Sequence, residues 1–180
     1  AGIPAIIGHN VSDSATASHA ELLCRRGKRL GISALGIGSP NARRLPADMD
    51  KSDADAQFMR FIRIAAGAAK DHGMCVLVEA VHSGMCNYLN GTLDAAEITR
   101  LIGLDNVGMV LDFYHMAERG EDYSLAAAAA PYLRHVHFSK SGSGLWRGFP
   151  QKADFDEYRG IFAILKSIGY DGTVSIEPSE

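Results

Sequence analysis

The feature that most restricts this chain is an alternation. Six short apolar runs are separated by stretches with helical periodicity: IPAIIG (3–8), SALGIG (33–38), CVLVEA (75–80), VGMVLD (107–112), LRHVHF (133–138) and TVSIE (173–177). In the longest intervening stretch, Phe58, Phe61, Ile62, Ala65 and Ala69 share one face of a helix. Tyr158, Ile161, Phe162, Leu165 and Ile168 do the same near the C-terminus. Ser14, Thr92 and Asp154 stand where N-caps are expected, and Gly31, Gly73, Gly103 and Gly169 stand where helices should stop. Pro131 closes LAAAAAPY, a segment expected to be a helix packed closely on a sheet. No linker or additional repeat interrupts the pattern, so residues 1–180 are expected to form one α/β domain on a parallel sheet.

Parallel sheets are open and doubly wound or closed into barrels. An open nucleotide-binding sheet carries a glycine fingerprint after its first strand. The nearest sequence here, GIGSPNARR (36–44), lacks the third glycine and the helix start. A barrel gains support from polar residues at the C-terminal ends of several strands, where barrel enzymes build their sites.

Strand alternation sharpens that expectation. It places Cys75, Leu77 and Glu79 on one face, then Gly108, Val110 and Asp112, then Leu133, His135 and His137, then Thr173, Ser175 and Glu177. The opposite set, including Met109, Leu111, Val136, Val174 and Ile176, is apolar apart from Arg134, as a face covered by helices requires. Four successive strands thus finish inward in Glu, Asp, His and Glu. Converging carboxylates repel one another unless neutralised, and a divalent cation does this most simply. Three oxygen ligands and one imidazole suit Mn²⁺ or Mg²⁺, with Co²⁺ acceptable, better than a structural zinc. His135, one layer lower, reads as an interior histidine rather than a ligand, and His115 alone could be a helix cap.

From about residue 33 onward the chain resembles the sugar phosphate isomerase/epimerase superfamily, the xylose isomerase-like barrels that include ketose 3-epimerases, hydroxypyruvate isomerase and inosose dehydratase. The resemblance rests on GSPNARRLP (38–46), LVEAV (77–81), CNYLN (86–90), NVGMVLDFYHM (106–116), HVHFS (135–139) and IGYDGTVSIEP (168–178). It implies that Glu79, Asp112, His137 and Glu177 hold one divalent metal, with Glu79 and Glu177 doubling as the acid/base pair. It further implies that His115, Arg147 and Asn87 contact substrate. The chain departs from the family pattern at His82, where Asn is usual, at Met85, where an acid is expected, and at Gln151 and Ser139-Lys140.

The implied activity is a metal-dependent isomerase or epimerase acting on a sugar, keto-sugar or small hydroxy-carbonyl compound. Proton transfer would pass through an enediolate. A lyase or dehydratase on a related polyol, and a non-catalytic sugar-binding subunit, are the alternatives. A nuclease of the same fold would need a basic surface, and the net charge of −3 argues against any nucleic-acid partner. No apolar run is long enough to span a membrane. Three cysteines without metal-type spacing suggest reduced thiols and a cytoplasmic protein. About six strand–helix units are expected where a closed barrel has eight, with the missing units on the N-terminal side. The chain is therefore expected to be part of a longer protein or a short barrel completed in a homo-oligomer, because an open parallel edge leaves backbone groups unpaired.

Overall fold

The computed structural model describes residues 4–140 and 147–178. Five parallel strands form one sheet in the order β1 (Ala34–Ile37), β2 (Cys75–Glu79), β3 (Val107–Asp112), β4 (Leu133–Phe138) and β5 (Thr173–Ile176). Each strand pairs with its neighbours in sequence, and nowhere does the order reverse. That is barrel winding rather than the double winding of an open nucleotide-binding sheet, and the result is a curled half-barrel.

Helices α1 (Asp13–Arg29), α2 (Lys51–Asp71), α3 (Thr92–Ile102), α4 (Phe113–Arg119), α5 (Ala126–Ala129) and α6 (Phe155–Ser167) fill the connections. The outward residues Val76, Val78, Met109, Leu111 and Val136 are buried in one continuous core with Phe58, Phe61, Ile62, Ala65 and Ala69 of α2. The alanines of α5 let it lie close to the sheet, with Ala126 and Ala129 fully buried. Gly31, Gly73, Gly103 and Gly169 all adopt positive φ just past helix ends, where a side chain would strain the backbone.

Several expectations need correction. The run at 3–8 is not a strand, so the described residues contain five strands rather than six; Ile3 itself lies outside them. Ile6 and Ile7 are buried, yet both amides donate to the carbonyl of Ala42, which leaves no ladder to extend. The N-cap of α1 is Ser12, whose Oγ accepts from the Ala15 amide at 3.3 Å, rather than Ser14. Gly91, not Thr92, caps α3; the Thr92 amide and hydroxyl instead bind Glu121. The face expected on α6 is only partly buried: Ile161 and Leu165 are covered, whereas Phe162 remains exposed and meets Phe138 of β4 edge-on.

The largest correction concerns β4. The pairing with β3 shifts register between Met109 and Val110, so that Leu133 faces Met109 while His135 faces Val110. Arg134 is the extra residue of this irregularity. Leu133 consequently joins the helix-side core instead of the inward face, and strict alternation holds only from His135 onward.

Candidate functional site

The inward ends of the strands meet at one rim. Register places Glu79 opposite Val110, and Asp112 opposite His137, which in turn pairs with Ser175. Glu177 extends β5 by one step, its amide donating to the Phe138 carbonyl at 3.2 Å. Ligand atoms of Glu79, Asp112, His137 and Glu177 all lie within 4.8 Å of one another. Two donors of one cation, each about 2.0–2.5 Å from it, cannot be much more than about 4–5 Å apart, so this span suits a shared ion.

The local geometry of each residue follows from its element. Asp112 ends β3 and begins α4: its Oδ1 accepts from the Tyr114 amide at 2.9 Å as an N-cap, which aims Oδ2 into the site. Buried Oδ2 accepts no well-directed hydrogen bond among the described residues, though Arg147 Nη2 lies 2.6 Å away. Burial lifts the Asp112 carboxyl to about 6, against the opposing pull of Arg147. His137 Nδ1 lies 3.1 Å from both Glu79 Oε1 and Glu177 Oε2. Burial disfavours its charged form, but the hydrogen bonds its ring donates to Glu177 and Glu79 outweigh this and raise the imidazole to about 10. Hydrogen bonding to His137, assisted by Arg147, holds Glu177 below the usual carboxylate range.

Arg147 lies across the mouth. It binds Glu177 through Nη1, meets His115 Nε2 at 2.6 Å through Nη2, and rests 4.8 Å above the Tyr114 ring. His115 follows Asp112 by one helical turn, and its Nδ1 accepts the His82 amide at 3.3 Å. Burial, with the Arg147 cation beside it, pushes His115 down to about 2, so the ring is neutral at any working pH.

The donor set fits a divalent ion. Three carboxylates and one imidazole converge, and an oxygen of Asp112 is buried without a well-directed hydrogen bond. Gly38 provides the room: a Cβ there would overlap Glu79 Oε2 and sit 3.0 Å from its Cδ. A cavity of about 510 Å³ opens over the cluster, walled by Gly36, Gly38, Pro40, Val81 and Met85 as well as His115 and Arg147.

Of the residues singled out in the sequence, six gather here, and one does not. Asn87 spends both ends of its amide on the main chain of Leu45, at 2.9 and 3.0 Å, and does not line the cavity. His135 is bonded through Nδ1 to Thr173 Oγ1 at 2.6 Å and packs edge-on to His137, which fits a supporting role. His82 is buried behind His115 rather than on the cavity wall, whereas Met85 does line it. Sequence reasoning missed Arg43 and Gly38, both of which shape the surroundings of Glu79.

Residues 8–180 match the model of the family described as xylose isomerase-like TIM barrel. A ketose 3-epimerase of Arthrobacter globiformis is 36% identical over 114 residues, which is 62% of this chain and 37% of that protein. The crystal structure of D-psicose 3-epimerase in the presence of D-fructose superposes with a TM-score of 0.78 at 21% identity, covering 98% of this chain and 60% of that one. A crystal structure of the IOLI protein with a bound zinc atom gives a TM-score of 0.73 at 21% identity, over 98% of this chain and 66% of that one. The chain thus spans less than two thirds of the length of the first two proteins. Among the described residues, no helix is long and apolar enough to cross a membrane.

Proposed function

The chain belongs to the xylose isomerase-like TIM-barrel family, and from that premise we propose that it is a sugar isomerase or epimerase working by proton transfer beside a carbonyl. The observation that carries this reading is the placement of two glutamates. Glu79 from β2 and Glu177 from the end of β5, with β3 and β4 between them, both reach His137 Nδ1 at 3.1 Å. The ketose 3-epimerase and D-psicose 3-epimerase among its relatives support a ketose as substrate.

Glu79, Asp112, His137 and Glu177 would hold one divalent cation, with Mn²⁺ the best match to three carboxylates and one imidazole, and Mg²⁺ or Co²⁺ acceptable. Bound there, the cation would supply fixed positive charge beside adjacent carbonyl and hydroxyl oxygens, lowering the cost of an enediolate. The chain's own residues do the rest. One glutamate takes the C–H proton and the other returns one, to the opposite face of the same carbon or to its neighbour. Neutral His115 and the Arg147 guanidinium, facing the cavity, bind and orient substrate oxygens. The apolar walls at Pro40, Val81 and Met85 exclude water from the reacting carbon.

The same cavity in a chain without turnover would make a non-catalytic sugar-binding subunit, the alternative reading. Incubation with Mn²⁺ and a panel of ketopentoses and ketohexoses in D₂O, followed by NMR, separates the readings. A C3 epimer or an aldose carrying one deuterium, lost on chelation, is the expected result. A dehydrated product would identify a lyase, and sugar binding without any deuterium uptake would identify a binding subunit.

A further inference from the structure

Arg43 is the largest fully buried side chain among the described residues, and its guanidinium donates to main-chain oxygens. Nη1 donates to the carbonyl of Glu79 at 2.7 Å and lies 3.5 Å from that of Ile37; Nη2 lies 3.5 Å from that of Gly38. Nε has no partner among the described residues. A guanidinium buried without a carboxylate is costly, so its position calls for a reason.

The reason lies in how two strands end. β1 stops at Ile37, which pairs with Val78, so the main chain of Glu79 has no strand residue beside it on that flank. Arg43 takes the vacant place. It also reaches the carbonyl of Gly38, the residue whose missing Cβ leaves space for the Glu79 carboxylate. The short turn that carries Arg43 (Asn41–Arg43) is itself held fast. Ile6 donates to Ala42 at 2.7 Å, Cys86 Sγ approaches the Pro40 carbonyl at 3.4 Å, and the Phe58 ring lies 6.0 Å below the guanidinium.

We propose that Arg43 is a positioning residue, a clamp between the ends of β1 and β2 that holds the carboxylate of Glu79 against Gly38 at the rim. It touches neither cavity nor substrate and acts only through Glu79. Only its consequence for metal affinity rests on the proposed function; the clamp itself does not.

The test uses protein labelled with ¹³C at glutamate Cδ, with no metal added, the Glu79 resonance being assigned from Glu79→Gln. Arg43→Gln should shift or broaden the Glu79 signal while leaving that of distant, exposed Glu97 unmoved. Arg43→Lys, which keeps the charge but offers one nitrogen in place of two, should give an intermediate effect. By calorimetry, Mn²⁺ affinity should fall roughly 10- to 100-fold in Arg43→Gln, the range seen when residues supporting metal ligands are lost. An unmoved Glu79 signal, or equal disturbance of all glutamate signals, would overturn the clamp. If Arg43→Gln does not fold, Arg43→Lys decides by the same criterion. A native protein that binds no Mn²⁺ but whose Glu79 signal responds would support the clamp and overturn the metal reading.

Discussion

His137 sits between two carboxylates, and its raised pKa would make the proposed metal binding a proton exchange. The folded value of about 10 lies above the ordinary 6.5, so without metal this group stabilises the fold fully below about pH 6.5, and that contribution is lost as pH rises toward 10. A cation must displace the proton. Mn²⁺ affinity should therefore rise about tenfold per pH unit across the neutral range, with about one proton released. Below about 6 the slope should steepen, because burial leaves Asp112 protonated there despite Arg147. Calorimetry in buffers of differing ionisation enthalpy measures this, and a flat profile would contradict the proposed ligands. Asp112→Asn should weaken metal affinity and turnover together. The convergence of Glu79, Asp112, His137 and Glu177 at one rim was legible because strand parity and side-chain chemistry are local properties. The place of Asn87 was not legible, because only the tertiary arrangement decides whether a loop amide faces a cavity or, as here, the main chain of Leu45. Arg43 was missed because an arginine in a polar stretch reads as solvated, and nothing nearby in sequence announces the carbonyl of Glu79 thirty-six positions on.

Two glycines give the elements their closest contacts. Gly38→Ala would push its Cβ into the Glu79 carboxylate, so Mn²⁺ affinity should drop by about tenfold while the melting temperature changes little. Gly108→Ala meets a wall that cannot yield. Its Cβ would lie 2.8 Å from the Tyr132 carbonyl and 3.3 Å from Leu77, and thermal unfolding should show a loss of about 1–3 kcal/mol. An unchanged melting temperature in Gly108→Ala would mean that β3 and β4 approach less closely than described. Strand and helix positions were mostly legible from periodicity, and β3 and β4 have the bounds expected. The irregularity at Arg134 was not, since a register shift depends on the partner strand rather than on the run itself. The first apolar run failed for a related reason: IPAIIG has apolar residues to bury, but its amides turn to Ala42 and no ladder forms.

At the scale of the molecule, the half-barrel leaves apolar residues beside both outer strands: Leu30 and Ile32 before β1, and Phe155, Phe162 and Ile176 around α6 and β5. Light scattering of this chain should show self-association, weakened by Phe162→Asp; a stable monomer would contradict the self-association expected from these exposed side chains. Barrel winding could be read from the strand–helix alternation and from polar strand ends. The strand count could not, because a buried loop and a buried strand share the same composition. Deuterium exchange decides whether Glu79 and Glu177 carry protons as well as holding a cation, as proposed. On a ketose that the native protein converts in D₂O, Glu79→Gln and Glu177→Gln should each lose about a hundred- to ten-thousand-fold in turnover. Each should retain most of its Mn²⁺ affinity, because the amide keeps an oxygen but cannot take up a proton. The variant lacking the proton-abstracting glutamate should also lose exchange, whereas the other should still exchange one carbon-bound proton without net conversion. Near-native turnover in both variants would contradict the two-glutamate mechanism and leave a metal-binding pocket alone.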